Sequence, residues 1–166
     1  GWMIHGRIAT YRGEFTESIA RYRRALAAAP EDGGSSLFLK DAVRTYATDV
    51  SRQGDELRRD GDPERARAAY QRALEIDPRE PRAHNGLGLL LFSEGAYEQA
   101  MAHYDQALRE MPYQVQVRFN RVLALLKLGF TGRAEREIAL IEELEADMQG
   151  RRVAPLLKTY LAQVKP

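Results

Sequence analysis

The sequence has no cysteine. That excludes a disulfide framework, a cysteine nucleophile and thiolate zinc sites, and it leaves the compartment open. A charge imbalance is also missing. Lysine plus arginine number 25 against 24 aspartates and glutamates, for a net charge of +1, which points to neither a nucleic-acid partner nor an acidic tail. No apolar run approaches the ~18 residues of a membrane span, so direct membrane insertion of this segment is not expected, and no signal-peptide pattern is present. The chain begins Gly1-Trp2 with a structural unit already under way. It therefore reads as a piece of a longer protein, and targeting or membrane sequence upstream stays open.

Catalytic constellations are missing too. His5, His84 and His103 include no pair at i, i+4 spacing and no HExxH arrangement, so they read as packing or surface residues rather than metal ligands. No serine lies in a GxSxG context. Gly86-Leu87-Gly88 falls inside a helical pattern, follows no strand and lacks the rest of a phosphate-loop motif. The acids of Glu142-Glu143-x-Glu145-x-Asp147 read as a solvated helix face. No catalytic residue, metal site or cofactor is expected, and the chain reads as a non-enzyme.

What is present is 166 residues, 44% hydrophobic and 30% charged, enough for one ordinary domain with a buried core. The clearest stretch is Arg82 to Pro112. Leu87, Leu90 and Leu91 lie on one face of a first helical pattern, and Ala100, Tyr104, Ala107 and Leu108 on one face of a second, with Gly95 between them. Pro112 stops the second. Neither helix can bury its face alone, so the unit asks for copies of itself.

Copies are there. Tyr104, Ala107, Leu108 and Pro112 are matched 34 residues earlier by Tyr70, Ala73, Leu74 and Pro78, and earlier again by Tyr22, Ala25, Leu26 and Pro30. Turn signals recur at Gly13-Glu14-Phe15, Gly61-Asp62-Pro63, Gly95-Ala96-Tyr97 and Gly129-Phe130-Thr131. A 34-residue helix-turn-helix with coincident Gly, Ala, aromatic and Pro positions resembles the tetratricopeptide repeat family. The resemblance covers about four-fifths of the chain. It implies an all-α, right-handed α-solenoid forming a single domain, with repeats at about 1–32, 47–80, 81–114 and 115–148. The fourth lacks the closing proline. Residues 151–164 then read as a terminal capping helix, with Val153, Leu156, Leu157, Tyr160, Leu161 and Val164 apolar; it covers a face the last repeat would otherwise expose.

The period breaks once, by an insertion at 33–46. Ser35 or Ser36 reads as a helix N-cap, and Leu39, Val43, Tyr46, Val50 and Leu57 continue one stripe into the next repeat. The expectation is one long helix, about Leu37 to Asp60, whose extra turns carry Leu37, Phe38 and Leu39 past the edge of the stack as a self-association surface. The alternative is a kinked loop.

In such a stack the first helices line a concave groove. The resemblance implies these groove residues: Arg7 and Tyr11 from the first repeat, then Arg52, Asp55 and Arg59 from the second. The third supplies Arg82, Asn85, Leu89 and Phe92, and the fourth Phe119, Asn120, Leu123 and Lys127. Its amino-terminal half is polar and Arg-rich; its carboxy-terminal half is apolar. This suits a peptide or amphipathic helix of a partner protein, with the phenylalanines as anchors and the arginines pairing with acidic groups. The apolar half is equally open to filling by the chain's own terminal helix. Relatives that grip a terminal carboxylate spread Lys, Asn and Arg over three repeats. Here the matching positions are Met3, Arg7, Arg52, Arg82 and Gly86, or Ser51, Asp55, Gly86, Gln116 and Asn120; neither set is complete, which argues against that ligand. The function implied is a non-catalytic protein-interaction scaffold. A self-associating assembly module and an accessory domain of a larger membrane or enzyme polypeptide are the alternatives.

Overall fold

The apolar spacings become helices throughout a computed structural model that describes residues 2–146 and 152–164. In order they are α1 (Trp2–Tyr11), α2 (Phe15–Ala28), α3 (Gly33–Arg59), α4 (Pro63–Ile76), α5 (Pro81–Ser93), α6 (Tyr97–Glu110), α7 (Val115–Lys127), α8 (Thr131–Glu145) and α9 (Ala154–Val164). No strand occurs among the described residues. Each helix packs on its neighbour in sequence, and α3, α5, α7 and α9 also touch along one side, which makes a single stack of hairpins. The expected limits at Met148 and Arg151, and the side chains of Trp2 and Met3, fall outside what is described.

One turn is used four times. Gly13, Gly61, Gly95 and Gly129 end α1, α3, α5 and α7 with φ between 73° and 82°, the left-handed region that a Cβ penalises. The amide after each glycine reaches back five residues: Glu14 to Ala9, Asp62 to Leu57, Ala96 to Leu91 and Phe130 to Leu125, each at 2.9 Å. This is the Schellman closure, which satisfies a carbonyl the helix end would leave bare. Starts are marked where the chain can mark them. Asp62 accepts from Arg65 N at 3.0 Å ahead of Pro63, and Glu80 accepts from Arg82 N ahead of Pro81.

Between helices, tyrosine fills the space that glycine leaves. Tyr22, Tyr70 and Tyr104 are all but fully buried. A Cβ on Gly54 would stand 2.7 Å from the Tyr70 ring and one on Gly86 2.2 Å from it, so Tyr70 is held between α3 and α5. Gly6 and Gly88 stand in the same relation to Tyr22 and Tyr104.

The insertion is helical, as expected, but begins earlier. Asp32, not Ser35 or Ser36, is the N-cap of α3; it accepts from Gly34 N at 3.1 Å, and Ser35 is buried and donates to the same carboxylate. The resulting 27-residue helix is about 40 Å long at 1.5 Å per residue. Its first half does not project past the stack. The Phe38 ring stacks on Tyr22 at 5.9 Å, and Leu39 and Val43 pack with it against Ile19, Tyr22 and Ala42. Phe15 stacks on Tyr46 at 5.4 Å. Of the triplet expected to drive self-association, only Leu37 is exposed; Phe38 and Leu39 are spent on α2. The reason is helical phase. Fourteen residues make about 3.9 turns, so the two halves of α3 present nearly the same face, the first to the α1–α2 hairpin and the second to α4 and α5.

At the other end α9 lays Ala154, Leu157 and Leu161 on Val122, Leu125, Ile138 and Ile141. Its start is capped from a distance. Glu145, the last residue of α8 and 3% exposed, accepts from Val153 N at 2.7 Å and Ala154 N at 3.2 Å. Replacing it by alanine strands two amides in a closed setting, at a cost of about 1–3 kcal/mol. Glu145→Ala should therefore lower the urea midpoint and raise hydrogen exchange in α9 first, while α3–α6 keep their protection.

Candidate partner-binding groove

The concave side is divided where the long helix crosses it. Against the first half of α3 lies a cavity of about 430 Å³ bounded by Arg7, Thr10, Tyr11, Tyr22, Phe38 and Asp41. The Arg7 guanidinium sits over the Phe38 ring at 5.4 Å. Arg7 and Tyr11 therefore belong with Phe38, and not with the arginines of the second half of α3. Arg52 turns to Asp49, one turn back on its own helix, at 2.5 Å. Arg59 bonds its own helix at the Asp55 carbonyl, and Lys127 is exposed at the end of α7.

A second cavity, of about 320 Å³, is bounded by Thr48 and Asp55 from α3, Glu80, Arg82 and Asn85 at the start of α5, and Gln116 and Val117 at the start of α7. Two of its charges are paired with each other, Asp55 and Arg82, whereas Arg44, which also lines it, makes no ion pair among the described residues. Asp55 takes Arg82 Nη1 at 2.8 Å and the Tyr70 hydroxyl at 2.7 Å. Glu80 is buried and accepts from Thr48 Oγ1 at 3.0 Å. Desolvation raises its pKa above the usual carboxylate range, while the Thr48 and Arg82 amide hydrogen bonds pull the other way. The Tyr70 phenol is likewise pushed up, first by burial and then by its bond to the Asp55 carboxylate. The expected Arg-rich half is thus internally neutralised at Arg82 and Arg52.

Across the groove runs a chain of side-chain amides. Gln116 donates through Nε2 to Asn120 Oδ1 at 3.3 Å, and Asn120 donates through Nδ2 to Asn85 Oδ1 at 3.0 Å. Asn120 is buried, and the link ties α7 to α5. The two ends, the Asn85 amide N–H and the Gln116 oxygen, border the cavity with no hydrogen bond among the described residues.

The expected apolar half is partly used by the chain itself. Phe92 meets Tyr97 edge-on at 5.1 Å and packs beside Leu91 and Leu108. Phe119 and Leu123 pack against the cluster that α9 completes. Leu89 is half-buried. Of the residues that line the second cavity, sequence reasoning missed Glu80. Glu80 closes the loop before α5, and only the fold shows that it faces Thr48.

With the hairpin stack and its glycine–tyrosine contacts in view, comparison with known proteins adds the deciding observation: residues 51–115 match the family model described as tetratricopeptide repeat. Residues 51–115 are tetratricopeptide repeats. A TPR repeat-containing protein of Pseudomonas aeruginosa is 40% identical over 95 residues, a match covering 57% of this chain and 37% of that one; the match thus spans little more than a third of the relative. Among solved structures, the type III secretion translocator chaperone SycD of Yersinia enterocolitica superposes with a TM-score of 0.66 at 20% identity, over 81% of this chain and 93% of that one. The first TPR domain of Spaghetti (RPAP3), bound to an HSP90 peptide, gives 0.60 at 16% identity over 71% and 91%. At those identities the likeness is one of fold, the TPR α-solenoid.

Within this TPR domain, two equivalent tyrosines differ in one respect. The residue after the packing glycine is Asp55 beside Tyr70 and Leu89 beside Tyr104. Tyr70 has its carboxylate partner, whereas the buried Tyr104 hydroxyl has none among the described residues. A hydrogen bond to a charged group contributes about 1.5–3 kcal/mol, while a buried unpaired hydroxyl is itself a cost. Tyr70→Phe should lower the urea midpoint clearly, and Tyr104→Phe should leave it unchanged or raise it.

Proposed function

We propose that this TPR domain is a non-catalytic scaffold that holds an extended segment of a partner protein along the concave face between α3, α5 and α7. The observation that carries the reading is the amide chain Gln116–Asn120–Asn85, which ends in one free donor and one free acceptor beside the 320 Å³ cavity. A donor and an acceptor offered together are complementary to a peptide bond or a side-chain amide, and they bind it without regard to charge. The matched ion pair Asp55–Arg82 at the same cavity supports a partner held by hydrogen bonds rather than by net charge. Support also comes from the relatives in fold: one carries an HSP90 peptide, and another is a translocator chaperone.

The expected acid-seeking role of the arginines is narrower in this reading, because Arg82 and Arg52 already have carboxylates. Apolar contact at the cavity comes from Val117 and Met111; Leu89, Phe92, Phe119 and Leu123 do not line it.

The test is a displayed library of extended peptides selected on the unaltered domain. Binders should lose about tenfold in affinity in Asn85→Leu with Gln116→Leu, the equivalent of two neutral hydrogen bonds, with helical content unchanged by circular dichroism. Selected peptides that bind the double variant equally well would remove the amide chain from the site.

A further inference from the structure

We propose that His84 and His103 form a proton-sensitive latch between α5 and α6, closed at neutral pH and forced apart when both imidazoles carry charge. His84 is 9% exposed on α5, and His103 is half-buried on α6. Their Nδ1 atoms lie 3.1 Å apart and their ring centroids 5.3 Å apart. The other His84 nitrogen, Nε2, is 3.0 Å from the Pro78 carbonyl oxygen.

These contacts fix the protons. A carbonyl oxygen only accepts, so His84 Nε2 carries a hydrogen. In neutral His84 the Nδ1 is then bare, and it accepts from His103 Nδ1–H. One further proton is tolerated, on His103 Nε2. A second is not: it would place an N–H on His84 Nδ1, pointing at the N–H of His103 across 3.1 Å, between two cationic rings. Among the described residues no group of three metal-ligating side chains exists here or elsewhere, so the proton is the ligand this geometry fits.

The surroundings work in the same direction. Arg67 of α4 faces His103 and is ion-paired to Glu94 at the end of α5. On α7, Arg118 and Arg121 are committed to Glu137, and Arg121 also to Asp105. Desolvation first, then His84, then Arg67 hold the pKa of His103 below its ordinary value of 6.5. The unfolded chain therefore binds more protons than the folded one around and below that value. Stability is complete above it and falls with pH until the folded pKa is passed. Because α5 carries Arg82 and Asn85, opening the latch would also loosen one wall of the groove; that consequence rests on the proposed function, and the latch itself does not.

The experiment is urea unfolding of the full 166-residue chain and of His103→Gln at pH 7.5 and 5.5, together with an NMR titration of the His103 ring in the unaltered protein. The midpoint of the unaltered chain should fall on acidification, and His103→Gln should lose most of that fall. Groups common to both proteins cancel in the comparison. They include His5 and Glu80, whose raised pKa contributes with the opposite sign. The His103 ring should titrate below 6.5. Equal falls in the two proteins would overturn the latch. Neither measurement uses a peptide, so failure of the groove reading would leave this result standing.

Discussion

The stack depends on a steric bargain between glycine and tyrosine. A helix that presents glycine lets a tyrosine ring lie directly on its backbone, and the ring fills the notch to crystal-like density. Tyr70 does this twice, against Gly54 within its own hairpin and Gly86 in the next. A ring gripped from both sides sets the distance and the register of successive hairpins together. The 34-residue period is the sequence expression of that grip: turn, cap and helix length must bring the next glycine to the same ring. The Schellman turns and the Asp and Glu caps are consistent with it, since each fixes where a helix ends or begins.

The long helix obeys the same constraint. Sixteen residues after Tyr70 stands Gly86; sixteen after Tyr22 stands Phe38, and sixteen after Tyr104 stands Asn120. The inserted turns thus begin in the register of an ordinary next hairpin, and Phe38 meets the Tyr22 ring where Gly86 meets that of Tyr70. The helix then continues for four more turns, comes back to nearly the same phase and serves as the first helix of the second hairpin. Arg72 of α4 donates to the Tyr46 hydroxyl at 2.9 Å, joining the second hairpin to the part of α3 that holds the first.

The helices, their turns and the capping role of α9 were legible because they rest on local signals: period, glycine, proline and apolar stripe. The fate of Leu37, Phe38 and Leu39 was not. The residues are apolar under either outcome, and only the 14-residue phase decides whether they meet α2 or solvent. The groove was partly legible. Asp55, Arg82, Asn85 and Asn120 do converge, but a list of positions shows no pairing. It cannot show that Arg82 is spent on Asp55, that Phe119 leans on the α9 cluster, or that Arg7 and Tyr11 open onto a separate cavity. Those facts depend on distances across hairpins, which sequence spacing does not encode.

The same geometry leaves a small set of positions free to vary, and these carry the chemistry. The residue after the packing glycine of each first helix differs from repeat to repeat: Arg7, Asp55, Leu89 and, after Val122, Leu123. Each changes what its neighbours must do. Asp55 satisfies Tyr70 and captures Arg82; Leu89 leaves Tyr104 without a partner. At the position sixteen residues after the tyrosine, glycine makes room, phenylalanine stacks, and Asn120 begins a hydrogen-bonded link to Asn85. A solenoid held by a repeated backbone contact can thus change its binding surface one residue at a time. At the central cavity the result is a paired Asp55 and Arg82 beside the open ends of the Asn85–Asn120–Gln116 amide chain.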